Sequence, residues 1–186
     1  MLHIHCQELD TPRLVLRKLT MADLSLYYSR LASSPVVTEH MLWTPHTSLS
    51  ESETSIQKAM ARYESGLSCR WVIAPKFTGE LIGIIDLMAV DTGSNICTFA
   101  YMLGENFWGH GFGTEAVKAV LNHAFSACGA AVVQADHFAE NGASGAVMRK
   151  AGMMPIGITP GKYSKNGIVH DAVQFKITKE DWMPPR

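Results

Sequence analysis

The sequence predicts one α+β domain built on a mixed, mainly antiparallel seven-stranded sheet with about four helices. Three observations lead there. The first part of the chain carries short alternating runs joined by turn residues, the signature of a strand meander. After it, the pattern changes to strand, glycine-rich turn, amphipathic helix and apolar strand, which is a βαβ unit. Finally, 186 residues suffice for one core and are too few for two domains of ordinary size, so a single domain is expected over 1–186, with its core over about 11–182.

Thr11 to Leu19 alternates, Leu14 and Leu16 on one face and Arg13, Val15 and Arg17 on the other, as a half-buried first strand does. Thr20 with Asp23 three residues on is an acidic variant of the capping box. Leu24, Tyr27, Tyr28 and Leu31 give the helix that follows its apolar stripe, and Pro35 stops it. Ser50 and Glu53 repeat the start signal for a second helix, with Ile56, Met60 and Tyr63 at helical spacing until Gly66. Val36 to Leu49 between them is a connector, placed where a loop could shape a substrate site. Cys69 to Ala74 and Leu81 to Val90 flank a turn at Pro75 to Glu80 and read as a hairpin, with Ile96 to Leu103 as the next strand of the meander. Val117, Val120, Leu121, Ala124 and Phe125 mark the crossover helix, and Ala130 to Ala135 the returning strand. A short helix over about Ala143 to Ala151, ended by Gly152, and strands near Met154 to Thr159 and Ile168 to Ile177 complete the chain.

Composition narrows the function. A formal net charge of -1 gives no basic field of the kind nucleic acid demands, so no nucleic-acid partner is expected. Neither a signal peptide nor a run of about 18 apolar residues is present, which predicts a cytoplasmic protein without a membrane partner. Cys6, Cys69, Cys97 and Cys128 form no CxxC pair and the eight histidines are dispersed, predicting reduced thiols and no metal.

The chemistry concentrates in Trp108-Gly109-His110-Gly111-Phe112-Gly113-Thr114, three alternating glycines between a strand and an amphipathic helix. Such a turn can aim several backbone N–H groups at one anion, helped by about half a positive charge at the helix N-terminus. A tight turn chosen for geometry alone would look the same. No GxxxxGK[ST] run exists, which excludes a nucleoside-triphosphatase loop. Gly111, Gly113 and Ala116 do fit GxGxx[GA], with Asp136 placed for a ribose contact. Against a nicotinamide-dependent oxidoreductase, Gly104 to Phe107 separate the strand from the glycines, and too few residues follow for a doubly wound sheet.

These residues resemble the Gcn5-related N-acetyltransferases (GNAT), and within them the ribosomal-protein N-acetyltransferase-like branch. Thr11-Pro12-Arg13-Leu14-Val15-Leu16-Arg17 is similar to that branch's opening strand and Phe107 to Ala116 to its signature turn. Asn141-Gly142-Ala143-Ser144 with Lys150 to Met153 resembles its second motif, about 30 residues on, and Gly167 with Asp171 its closing hairpin. The resemblance implies a GNAT-type fold and an enzyme that moves an acetyl group from acetyl-coenzyme A to a primary amine by direct attack, with no acyl-enzyme and no metal. A protein N-terminus, an amino-sugar or a small-molecule amine would be the acceptor, and a homodimer is a family-level expectation.

Carried over residue by residue, the resemblance places the coenzyme A pyrophosphate on the backbone of Trp108, Gly109, His110, Gly111, Phe112, Gly113 and Thr114, and the pantetheine arm along Tyr101, Met102 and Leu103. The N–H of Met102 or Leu103 would hold the oxyanion. Asn141 would bond pantetheine and Ser144, beside the sulfur, would return a proton to the thiolate; both could equally serve as helix caps. Two family positions differ: Thr98 stands where many relatives carry a glutamate base, and Met148 where many carry a tyrosine acid. Asp86 through water, or Glu39 or His40 from the connector, are the replacements for the base. A catalytically silent acyl-coenzyme A-binding module would share every one of these features except turnover.

Overall fold

The computed structural model describes residues 2–182. Eight strands form one sheet in the order β1-β2-β3-β4-β5-β6-β8-β7. They are β1 (Leu9–Asp10), β2 (Leu14–Lys18), β3 (Ser68–Pro75), β4 (Gly83–Asp91), β5 (Ile96–Leu103), β6 (Val132–Phe138), β7 (Met154–Lys165) and β8 (Ile168–Thr178). Every adjacent pair is antiparallel except β5 and β6. One parallel pair is what a single βαβ crossover in a meander produces, and no doubly wound sheet exists among the described residues. The eighth strand is β1, whose two residues pair with Leu16 and Val15 and are too few to show a period.

Five helices flank the sheet. A helical segment made of a 3-10 turn (Met21–Asp23), α1 (Leu24–Tyr27) and a π turn (Tyr28–Ala32) follows β2. The Asp23 carboxylate accepts from Thr20 N–H at 3.0 Å, as the spacing predicts. This segment stops before Pro35, but Pro35 itself opens α2 (Pro35–Thr38), a single turn capped by Ser34. The extra helix follows from proline's fixed φ, which suits the first helical position as well as it ends a helix. α3 (Leu49–Met60) is capped by Ser48, which accepts from Glu51 N–H, rather than by Ser50. Two overlapping Ser-x-x-Glu boxes lie here, and the earlier one wins because Thr47 also binds Glu51. α4 (Phe112–Ser126) and α5 (Gly142–Lys150) complete the set.

Strand alternation sorts the core into two layers. Leu14, Leu16, Trp71, Ile73, Ile85, Leu87 and Phe99 face α4, where Val117, Val120, Leu121, Ala124 and Phe125 are buried. Val72, Ala74, Ile84 and Met102 face the other way, toward Tyr27, Leu31 and Ile56 of the first helices. At about 1.5–3 kcal/mol for each large apolar side chain buried, both layers hold the sheet rigid on either side of the site.

The expectation of four reduced thiols fails at one pair, since Cys6 and Cys69 are disulfide-bonded while Cys97 and Cys128 are free and buried. The chain before β1 lies along β3, with Ile4 N–H on Gly66 O and Trp71 Nε1 on Gln7 O. That packing brings the two Cα atoms to 5.4 Å across 63 residues of sequence, a proximity no spacing rule can show. Among the described residues, no helix is long and apolar enough to cross a membrane.

Candidate active site

The site begins where two strands part. β5 and β6 pair only at Ile96–Val132, Cys97–Val133 and Thr98–Gln134. Beyond that, β5 stays on β4 as far as Leu103, and β6 stays on β8 as far as Phe138. The result is a V-shaped opening in the middle of the sheet with one unpaired strand edge on each side. Because β5 and β6 are parallel, the helices that follow them, α4 and α5, start at the same end of the opening and present their positive N-termini to it.

The hydrogen-bond ladder decides which groups of β5 face this opening. Residues of an antiparallel pair alternate in direction. Gly104 N–H bonds Ile82 O on the β4 side, and Asn95 O accepts from Ala131 on the β6 side, which fixes the phase. Tyr101 and Leu103 therefore direct their N–H groups into the opening, while Phe99 N–H, on the same side, is taken up by the Thr98–Gln134 pairing, and Met102 faces its partner Ile84. Of the two oxyanion candidates, Met102 is corrected on this ground, because its N–H belongs to the sheet. At Leu103 the carbonyl is taken by Trp108 Nε1 at 2.8 Å, leaving the N–H as the free group. Trp108 thus ties the turn to the strand.

Gly109 and Gly111 have φ of 76° and 80°, a region that side-chain-bearing residues enter only at a cost. Gly111 is the N-cap of α4 and supplies no side-chain acceptor, so the N–H groups of Phe112, Gly113 and Thr114 stay open. Gly113 packs against β5: a Cβ there would meet Leu103 and Tyr101 side-chain atoms at 3.4 Å. The His110 residue is exposed, with its ring stacked on Phe112 and its carbonyl turned back to Arg13. An exposed turn with uncapped donors, next to a strand edge with free N–H groups, fits an elongated ligand with an anionic end and an amide-bearing arm.

On the other side, Asn141 caps α5 by accepting from Ser144 N–H at 3.1 Å, the local role expected of it. The Ser144 hydroxyl meets Tyr101 OH at 3.5 Å. Burial pushes the Tyr101 phenol up, and the bond to Ser144 only partly offsets this, so the phenol remains a proton donor. Met148 is buried in the core and offers no acid.

Asp86 faces the layer of α1 to α3, and both its oxygens are held by Arg70, at 2.6 and 2.8 Å. Burial works against the Arg70 charge, but its bonds to Asp86 prevail and hold it above its usual value. Asp86 is thus committed to an ion pair across β3 and β4. Thr98 is half-buried between Met88 and Gln134. His40 sets its ring edge-on to Phe138, 6.1 Å between centroids, with Glu39 3.9 Å from Nε2. Lys165 Nζ bonds Thr38 O and Glu39 O at 2.6 and 2.9 Å, so the connector and the closing hairpin meet over the opening.

Two side-chain clusters form here that no sequence spacing brings together. Asp136, on β6, accepts from Tyr163 OH at 2.7 Å and pairs with Lys162. Phe138 stacks on His170 at 4.6 Å, next to Tyr163. Only the convergence of β6 with the β7–β8 hairpin brings them together. Among the described residues, no group of three or more His, Cys, Asp or Glu could hold a metal ion.

Comparison with known proteins gives this architecture a family. Residues 13–154 match the acetyltransferase (GNAT) domain. An uncharacterized N-acetyltransferase of Bacillus licheniformis, p20, is 28% identical over 176 residues, 95% of this chain and 98% of that protein. RimL, a ribosomal L7/L12 alpha-N-protein acetyltransferase solved with coenzyme A, has a TM-score of 0.84 at 19% identity, over 92% of this chain and 98% of that one. The spermidine N-acetyltransferase of Vibrio cholerae, solved with CoA and spermine, has a TM-score of 0.80 at 19% identity with the same coverage. At such identities the two structures establish the fold, and it is the family match over most of the sequence that says more: the chain belongs to the GNAT family of acyl-coenzyme A-dependent N-acetyltransferases.

Proposed function

We propose that this acetyltransferase binds acetyl-coenzyme A with its pyrophosphate on the open turn from Trp108 to Thr114 and its pantetheine arm in the V between β5 and β6, and that it acetylates an α-amine. The observation that carries this is the uncapped α4 N-terminus beside the free Tyr101 and Leu103 N–H groups. The arm would pair with the edge of β5 as an added strand does. The amine attacks the thioester carbon as its C–N bond forms, and the Leu103 N–H holds the oxyanion. Collapse breaks the C–S bond; the thiolate takes the Ser144 proton, which Tyr101 OH or water replaces, and the amine's surplus proton leaves to solvent. Asn141 keeps its side-chain amide nitrogen for the pantetheine, its oxygen being used on Ser144 N–H.

The acceptor follows from the weak base. With Asp86 tied to Arg70, threonine at position 98, and Glu39 exposed on the connector beside His40 and so a weakly placed base, the amine should arrive neutral. Neutralising a lysine amine at pH 7 costs about 4.6 kcal/mol, an α-amine only about 1.4 kcal/mol. A protein N-terminus, the acceptor class named for RimL, is therefore favoured over a polyamine such as spermidine. A thiol-release screen over peptides with free and blocked N-termini, polyamines and aminoglycosides tests this. Free-N-terminal peptides should lead, with rates climbing until about pH 8; turnover of polyamines alone would overturn the acceptor assignment. The same missing base favours, as a second reading, a silent binding module, which would bind acetyl-coenzyme A without releasing thiol from any amine.

A further inference from the structure

On the reading that the turn holds the pyrophosphate, we infer that Arg13, locked by Glu115, is a positioning residue that presets the turn's backbone for its ligand. Arg13 stands just before β2, nearly a hundred residues from the turn in sequence. Its guanidinium reaches two residues of the turn and one of the helix behind it. Nε donates to Glu115 Oε2 at 2.7 Å, the terminal nitrogen Nη1 donates to the His110 carbonyl at 3.0 Å, and the group lies 4.8 Å over the Phe112 ring. Nη2 would stand 3.3 Å from a Cβ at Gly111. Glu115 is fastened in turn by Arg13 N–H at 2.9 Å and by the Thr11 hydroxyl at 2.7 Å.

The peptide geometry turns this clamp into a function. In a planar trans peptide, C=O and the following N–H point in opposite directions. Holding His110 O toward β2 therefore turns Gly111 N–H away from it, to the outer side of the turn where an anion would sit. Arg13 also answers a charge problem. Glu115 lies in the first turn of α4, where a carboxylate suits the helix dipole but would repel a phosphate. The guanidinium neutralises it. Burial pushes the Glu115 carboxyl up, yet bonds from Thr11 and Arg13 outweigh that and hold it below its usual range, so at neutral pH the clamp is ionised and closed. With Arg13 half exposed, the pair would contribute little to folding, and fixing backbone direction is the larger consequence.

Calorimetric binding of coenzyme A, kinetics with acetyl-coenzyme A and with acetyl-pantetheine, which lacks the pyrophosphate, and melting temperature together test this on Arg13→Ala, Arg13→Lys and Glu115→Gln. Arg13→Ala should weaken coenzyme A binding about tenfold, raise KM for acetyl-coenzyme A with kcat kept, and leave acetyl-pantetheine kcat/KM within about twofold. Arg13→Lys should recover part of the loss, because an ammonium can reach Glu115 or His110 O but not both in the fork geometry. Glu115→Gln should fall between the two. Normal coenzyme A affinity in Arg13→Ala would overturn the inference, as would equal losses with both donors accompanied by a lower melting temperature. A wild-type protein that fails to bind coenzyme A would overturn the underlying reading as well, and is told apart by that control alone.

Discussion

Two helices begin at the same mouth of the same cleft, and their N-termini are finished differently. α5 is capped by the Asn141 side chain, while α4 starts at Gly111 with no side-chain acceptor at all. Glycine in place of a capping side chain costs a helix only roughly a few tenths of a kcal/mol, yet it leaves the first N–H groups unsatisfied, and at the edge of a cleft such an open end suits a partner supplied from outside. The capped helix is instead self-sufficient, and contributes side chains rather than backbone. On the proposed reading the cleft divides its labour between an anion-binding backbone on the α4 side and, on the α5 side, Ser144 with its neighbour Tyr101.

Closing α4 artificially is the strongest way to break this contrast. Gly111→Asp supplies the missing acceptor together with a negative charge, and aspartate is among the residues that tolerate positive φ. Coenzyme A binding, measured by calorimetry, should weaken about a hundredfold, or roughly 2.7 kcal/mol, while the melting temperature stays near that of wild type. The opposite face of the sheet is the control for chemistry. Asp86→Asn should lose about 2–3 kcal/mol of stability in urea by stranding Arg70, a partly buried charge. Arg70→Met added to it should restore much of that loss, and the pH profile of turnover should not move. A specific loss of the basic limb in Asp86→Asn would return the base to that residue.

Smaller effects are expected on the α5 side. Ser144→Ala should lower kcat about tenfold with KM for acetyl-coenzyme A nearly unchanged, below the usual 10²–10⁴ of a general acid because a thiolate is a good leaving group. Asn141→Ala should cost about 1 kcal/mol of stability through the lost cap and weaken coenzyme A only a few-fold. His110→Ala, at an exposed ring in the turn, should change coenzyme A affinity least, by about twofold or less.

Local rules made much of this legible. β5 is found at Ile96–Leu103 as its alternation predicts, and Gly66 and Gly152 close their segments in the left-handed conformation. The glycine turn could be read because glycine enters the positive φ of positions 109 and 111 without the steric cost that most side chains bring. What stayed hidden depends on partners distant in sequence. Choosing Leu103 over Met102 needs the phase of the β4–β5 ladder, which comes from Ile82 and Asn95. Asp86 looks like a free carboxylate until β3 delivers Arg70 opposite it. Arg13 reads as an ordinary outward-facing strand residue, and its meeting with Glu115 and His110 exists only once β2 and α4 have packed.

The division between the two helix ends can be seen most directly in amide hydrogen exchange by NMR, with and without coenzyme A. Protection should appear on binding at Phe112, Gly113 and Thr114 and at the cleft-facing Tyr101 and Leu103, while Met102, already bonded to β4, and Ser144, already capped, should not change. Unchanged exchange at 112–114, or new protection at Met102 in place of Leu103, would contradict it.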